Sequence, residues 1–276
     1  MNIAIVGLGL MGGSLALSLK KLDFIQTIVG NDHNKQHQKD AIKLNLVDKI
    51  VEFEEIKQSD VIFLAIPVNG VINSLKNLTD VSPDTTIIDL GSTKELILSS
   101  IPSVIRKNFV GAHPMTGTEN FGPHAAIENL YTDKVVVLCD LEESGEHQNH
   151  VAKKIFTHLQ MKQHFMKSHE HDRHAAFISH MPHAISYSIA NTVMQQEQKN
   201  NILALAAGGF RSMSRLAKSS PYMWEDIFKQ NKGNVLEAIE LFEAELSLLK
   251  ENIKNEEWTK VNQKMSDANK LHDILD

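Results

Sequence analysis

Asn2-Ile3-Ala4-Ile5-Val6-Gly7-Leu8-Gly9-Leu10-Met11-Gly12-Gly13-Ser14 opens the chain and decides its fold. An apolar, β-branched run passes directly into G-x-G-x-x-G, and an amphipathic helical pattern follows over Met11–Leu22. The glycine pattern is weak alone; between a strand and a helix it marks the turn that cradles a dinucleotide. Gly7 permits the tight turn, Gly9 lets backbone approach a pyrophosphate, and Gly12 lets helix and strand pack closely, with Leu10 and Met11 completing the turn. The helix start adds unpaired N–H groups and partial positive charge. The next strand ends at Asp32, twenty residues beyond Gly12. A carboxylate there accepts from a ribose 2′-hydroxyl and repels a 2′-phosphate, so NAD is expected over NADP.

Outward from that turn, strands and helices alternate. Strands are expected at Asn2–Val6, Thr27–Asn31, Val61–Ile66, Thr86–Leu90, Phe109–Gly111, Lys134–Asp140 and Gln163–Met166. Helices are expected at Met11–Leu22, Lys35–Leu44, Gly70–Leu78, Lys94–Ser100 and Gln148–Leu159, with a loop over Glu142–Glu146. Near-continuous apolar strands alternating with helices imply parallel pairing buried on both faces, a Rossmann-type doubly wound α/β sheet. Beyond Met166 only helical patterns remain. The division is therefore a nucleotide-binding domain over 1–166 and an all-α domain over 167–276. Val235, Ile239, Phe242, Leu246, Leu249 and Ile253 form an apolar seam at helical spacing, widened by Leu236, Leu241 and Leu248. That seam suits a homodimer interface, two-fold dimers being the commonest soluble oligomers.

Composition narrows the class of function. Of 276 residues, 42% are apolar and 22% charged, and the net charge is −6, so nothing favours nucleic acid or an anionic membrane as partner. Cys139 is the sole cysteine and lies in an apolar run. With no internal disulfide, no basic leader and no run of ~20 apolar residues, a cytoplasmic protein is expected.

The stretch that suggests chemistry is Gly111-Ala112-His113-Pro114-Met115-Thr116-Gly117-Thr118-Glu119. It sets His113 at the carboxyl end of a strand, where ligands of open α/β sheets bind. An imidazole exchanges protons near its ordinary pKa of about 6.5. Asp89-Leu90-Gly91-Ser92-Thr93-Lys94 brings the Ser92 hydroxyl to a neighbouring loop, where it either serves the site or caps a helix starting at Thr93. A second cluster, Ser179-His180-Met181-Pro182-His183, puts His180 and His183 on one helix face. His169, His171 and His174 precede it and read as a solvated helix start; the spacing matches no zinc signature, so no metal is expected. In a third cluster, Gly208 through Ser219 followed by Trp224, Arg211 and Arg215 lie four apart on one helix face after a glycine break. The guanidinium fork suits a carboxylate.

Taken in order, GLGLMGGSLA, DLGSTK, GAHPMTGTE, SHMPHA and GGFRSMSRLAKSSPYMW resemble the prephenate dehydrogenase family of tyrosine biosynthesis over nearly the whole chain. The resemblance implies a nucleotide-binding domain followed by a helical dimerisation domain. It also implies NAD(P)-dependent oxidative decarboxylation of prephenate to 4-hydroxyphenylpyruvate; some relatives use arogenate and yield tyrosine. By motif position it makes His113 the catalytic histidine and Ser92 the serine that orients it. His183 and Arg215 become substrate residues, Arg215 as carboxylate clamp and His183 favouring prephenate, with Thr118, Ser179, Ser219 and Trp224 at lesser pocket positions. Ser212 departs from the family pattern, which usually has Asp there. A β-hydroxyacid-type dehydrogenase shares the opening glycines, but its Lys-x-x-x-Asn does not occur after residue 160. A non-catalytic NAD-sensing module leaves His113, Ser92 and Arg215 without a purpose.

Overall fold

The computed structural model describes residues 1–196 and 198–275. One sheet contains β1 (Asn2–Val6), β2 (Thr27–Asn31), β3 (Lys49–Ile50), β4 (Val61–Leu64), β5 (Thr86–Asp89), β6 (Phe109–Pro114), β7 (Val135–Cys139) and β8 (Lys162–Met166). Their spatial order is β3-β2-β1-β4-β5-β6-β7-β8. The first half carries α1 (Leu10–Leu19), α2 (Lys35–Lys43), α3 (Phe53–Ile56), α4 (Val68–Leu75), α5 (Glu95–Ser99) and α6 (Glu146–His158). Side chains alternate across a strand, and the core divides accordingly. Ile3 and Ile5 of β1 join α1, α2 and α6 on one face. Ala4 and Val6 join α3, α4 and α5 on the other. This is the doubly wound α/β sheet that the apolar strands require.

Several details differ from the sequence reading. The sheet is not wholly parallel: β6 and β7 run antiparallel, with Gly111 opposite Cys139 and His113 opposite Val137. Parallel neighbours need a crossover, usually a helix, and between these strands the chain forms only loop and the short 3-10 turn Pro123–Ala125. The two-residue β3 and four-residue α3 are too short to leave a periodic signal. Residues Leu141–Glu143, two of them within the expected loop, make a 3-10 turn, and α6 begins at Glu146 rather than Gln148. Helix α4 starts at Val68 rather than Gly70, immediately after Pro67, whose fixed φ suits a helix entry.

Beyond β8 the chain is helical. The α7 helix (Ser168–Ala175) passes through a π-helical turn (Ala176–His180) into α8 (Met181–Met194). Pro182 lacks the N–H that an unbroken α-helix would need there, and the wider turn absorbs that defect. Then come α9 (Lys199–Ala204), α10 (Gly208–Ser214), a 3-10 turn (Arg215–Lys218), α11 (Pro221–Gln230), α12 (Lys232–Lys254), α13 (Trp258–Asn269) and α14 (His272–Leu275). The core here is thin: Ala176, Val235 and Ala238, with Phe177, Met181, Phe228 and Ile239 packed on them. Along the seam on α12, Val235 is buried and Ile239, Phe242 and Leu249 are half-buried against the same chain. Leu246 and Ile253, with flanking Leu236, Leu241 and Leu248, stand exposed in the single chain.

The turn after β1 leaves no room for a side chain at Gly12. A Cβ added at Gly12 falls 1.9 Å from the Gly7 carbonyl oxygen. Replacing a helical glycine by alanine ordinarily stabilises by about 0.5–1 kcal/mol; here that gain cannot offset a backbone collision. Gly12→Ala is expected to lower the thermal midpoint, and an unchanged or raised midpoint in a calorimetric melt contradicts this packing.

Candidate active site at the carboxyl edge of the sheet

The cofactor end is built by the turn between β1 and α1. Gly7 adopts φ +93, and a Cβ there would meet the Ala65 carbonyl oxygen at 2.3 Å. Gly9 sits at the N-cap of α1 and no side chain caps the helix, so its first N–H groups face outward, with Leu10 and Met11 as its opening residues. Asp32 follows β2 and is 7% exposed. Its carboxylate accepts from the Leu8 N–H (2.8 Å) and the Asn34 N–H (2.8 Å), which fix it against the glycine turn. The segment between β6 and β7 lies over α1: Ser14 Oγ accepts from the Ile127 N–H (2.8 Å), and Tyr131 donates to the Met11 carbonyl (2.8 Å).

His113 occupies the carboxyl end of β6, and its Nδ1 lies 2.7 Å from Nε2 of His171 on α7. The other nitrogen of His171, Nδ1, lies 2.7 Å from Asp172 Oδ1. The Asp172 carboxylate also accepts from the N–H groups of Lys94 (2.7 Å) and Glu95 (3.0 Å), capping α5 from the other half of the chain. Beneath it, fully buried Lys94 pairs with fully buried Asp89. Asp89 further accepts from the N–H groups of Gly91 (3.1 Å) and Ala112 (3.3 Å). Burial raises the Asp89 carboxyl's pKa, while the Lys94 ammonium and these N–H groups oppose the rise. Burial also holds His113 well below 6.5, helped by the nearby Lys94 ammonium. The imidazole is thus kept neutral.

The expected solvated helix start at residues 169–174 is only partly so. His169 and His174 are exposed, but His171 and Asp172 are buried and join His113. Ser92 is half-buried in the loop after β5 and does not cap α5, whose N-cap is Lys94. His171, Asp172, Asp89 and Asn231 were not identifiable as site residues from spacing. One signal did exist: a carboxylate in a strand buried on both faces, Asp89, needs a cation, and Lys94 lies five residues on.

The helical side contributes a second wall. His183 stacks on Trp224 with 3.6 Å between ring centroids, and His180 meets the same indole edge-on. His180 and His183 do share a face. Nδ1 of His183 lies 2.8 Å from the Ser179 carbonyl, an acceptor, so this nitrogen carries the hydrogen and Nε2 keeps a lone pair. Burial lowers the His183 pKa, and nearby Arg215 adds to this. Burial likewise pushes His180 down to about 4. Asn231 donates to the Asp172 carbonyl (2.6 Å) and sits 3.1 Å from His180 Nδ1. The Trp224 N–H is buried without a partner among the described residues. Ser219 is buried and its carbonyl accepts from Tyr187. Thr118 is exposed on the loop after β6. The two arginines do not share one regular helix, because α10 ends at Ser214 and Arg215 opens a 3-10 turn. Arg211 is exposed and donates to the Ala206 carbonyl. Arg215 lies 3.6 Å from Glu119 across the cleft and stays largely exposed. Among the described residues no group of three His, Cys, Asp or Glu could hold a metal ion.

The geometry combines a dinucleotide turn, a neutral histidine and a cationic rim on one edge of the sheet. The chain matches family models of prephenate dehydrogenase along most of its length: the nucleotide-binding domain over residues 15–164 and the dimerization domain over 167–267. It is 31% identical over 266 residues to the prephenate dehydrogenase of Bacillus subtilis, covering 93% of this chain and 71% of the relative. A crystal structure of prephenate dehydrogenase from A. aeolicus, in complex with hydroxyphenyl propionate and NAD+, superposes with a TM-score of 0.93 at 31% identity, covering 100% of this chain and 98% of that one. Synechocystis arogenate dehydrogenase superposes at 0.83 with 25% identity, covering 100% of both chains. With both domain models matched in order around this histidine and this glycine turn, the chain belongs to the prephenate dehydrogenase family.

Proposed function

We propose that this chain performs the NAD-dependent oxidative decarboxylation of prephenate to 4-hydroxyphenylpyruvate and CO2, as a cytoplasmic homodimer. Residues 1–166 carry the dinucleotide; residues 167–276 supply substrate contacts and the dimer seam on α12. The fit to a dinucleotide rests on the outward N–H groups of α1 and the fixed Asp32 carboxylate at the end of β2. Gly7, Gly9, Leu10, Met11 and Gly12 hold the pyrophosphate, and Asp32 holds the ribose. NAD, when bound, supplies the hydride acceptor.

The observation that carries the reading is the neutral imidazole of His113 at the carboxyl edge of β6. His113 accepts the proton of the substrate's ring hydroxyl as its C–O bond gains double-bond character. Ser92 orients that hydroxyl. When the ring carboxylate leaves as CO2, its electron pair completes the aromatic ring, and the proton on His113 returns to the phenolic oxygen. Arg215 clamps a substrate carboxylate, while His183, Trp224, Ser179, Ser219 and Thr118 line the remainder of the pocket. Glu119 beside Arg215 keeps the guanidinium pointed across the cleft until a carboxylate replaces it.

Arogenate as substrate has one observation in its favour. His183 is oriented by Ser179 so that its unprotonated Nε2 can only accept a hydrogen bond. That suits an ammonium group better than a ketone, against the expectation that His183 favours prephenate. Turnover with prephenate and with arogenate, followed by NADH absorbance, separates the two; no reduction of NAD with either substrate overturns the proposed reaction.

His113→Asn is expected to lower kcat by ~10²–10⁴-fold, the usual yield of general acid–base catalysis, with NAD affinity nearly unchanged. An equal loss of NAD affinity in a fluorescence titration identifies His113 as a cofactor or folding residue instead. The pH profile gives a separate check. His113 works unprotonated and its pKa is depressed by burial, so activity is lost only as pH falls through that lowered value. The acid limb of kcat/KM is expected below pH 6.5, and a limb centred above about 6.5 contradicts the assignment. Arg215→Ala removes a charged hydrogen bond of ~1.5–3 kcal/mol and should raise the prephenate KM roughly tenfold to a hundredfold. An unchanged KM retires the clamp.

A further inference from the structure

The geometry points to His171 and Asp172 as positioning residues that set which nitrogen of His113 carries its hydrogen. The inference rests on the proposed role of His113 and concerns residues that no motif of the chain singled out. Asp172 Oδ1 already accepts the Lys94 N–H at 2.7 Å, and His171 Nδ1 lies 2.7 Å from the same oxygen. An oxygen so engaged uses its lone pairs as acceptors, so the hydrogen between it and the imidazole belongs to His171 Nδ1. With its one hydrogen on Nδ1, His171 presents a bare Nε2. That nitrogen lies 2.7 Å from His113 Nδ1, and two bare nitrogens cannot meet at such a distance, so His113 Nδ1 donates. The remaining nitrogen of His113, Nε2, is left with its lone pair free for a substrate hydroxyl.

The chain of constraints ends on rigid backbone. Asp172 is held by two N–H groups of α5 and by Asn231 on its own carbonyl (2.6 Å). Lys94, whose N–H anchors Asp172, is itself pinned through its side chain to Asp89. The proton acceptor on β6 is therefore set by α7, across the boundary between the two halves. No atom of His171 or Asp172 need touch the substrate for this. Donation in the opposite sense, from a doubly protonated His171, would place the hydrogen on Nε2 of His113 and leave no acceptor.

Imidazole ¹⁵N spectra of the full-length enzyme, with His113 assigned by loss of its signals in His113→Asn, read the tautomer without reference to turnover. Near pH 7.5, hydrogen on Nδ1 and a bare Nε2 is expected for His113; hydrogen on Nε2 overturns the inference even if the enzyme reduces NAD normally. Kinetics supply the second arm. His171→Leu should reduce kcat by roughly 10²-fold, within the range of acid–base contributions, while the KM for prephenate changes less than about threefold. His171→Gln, whose amide oxygen can accept from His113 Nδ1, should recover most of the lost kcat. Should His171→Leu fold poorly, the wild-type tautomer and the His171→Gln rate still decide the matter. Equal turnover in wild type and a folded His171→Leu, or equal losses in the Leu and Gln variants, refutes it. Failure of prephenate as substrate would overturn the proposed reaction but leave the spectroscopic arm standing.

Discussion

One carboxylate ties this molecule together. Asp172 caps α5 of the nucleotide-binding half, fixes His171 beside it, and does both from a helix of the other half. A capping residue is ordinarily local, worth about 1 kcal/mol to its own helix. Here the cap comes from 77 residues away in sequence, so the same hydrogen bonds that finish a short helix also dock two layers of structure. Thr93 to Gln230 and Asn69 to Asp226 reinforce the docking on either side. Only with that docking does His113 acquire its neighbour.

The electrostatics follow from this arrangement. A buried ammonium beside a buried imidazole disfavours a second positive charge, and Lys94 stands in that relation to His113. Lys94 is tolerable in the interior because Asp89 lies against it, and Asp89 is tolerable because two strand-end N–H groups share its charge. The ion pair thus serves geometry and charge together: it shapes the loop after β5 and keeps the neighbouring base in its neutral form. A hydrophobic replacement of both partners could pack as well, yet it would remove the cation that discourages protonation of His113.

The doubly wound sheet was legible in residues 2–32 and in the apolar runs of β4, β5 and β7. A strand buried on both faces and a glycine turn are local signals, readable without knowing what lies opposite. His113 could be placed because its strand ends where ligands bind. His171 could not, because Ser168-His169-Glu170-His171-Asp172 has the composition of a solvated helix start and its burial depends on docking 58 residues away. The β6–β7 reversal was equally hidden: strand direction is decided by what lies between two strands, and residues 115–134 carry no periodic pattern. In α12 the pattern was readable but its environment was not, since an apolar stripe looks the same whether its own chain or a second copy covers it. Arg211 and Arg215 were misplaced as helix partners because a change from α to 3-10 geometry leaves no mark on spacing.

That reversal between β6 and β7 has a consequence for how such a protein can change over evolutionary time. A parallel connection would have had to carry the chain back across the sheet, committing residues 115–134 to a buried helix. An antiparallel one begins and ends on the ligand-bearing edge, so this segment is free to form the roof over α1 and to present Glu119 toward Arg215. Its exposed stretch around residues 118–121 can drift while Leu130 and Tyr131, buried against the core, hold the segment to the eight-stranded framework. Specificity is thereby separated from foldability: the roof can be rewritten for a different side chain on the substrate ring, and the floor never has to notice.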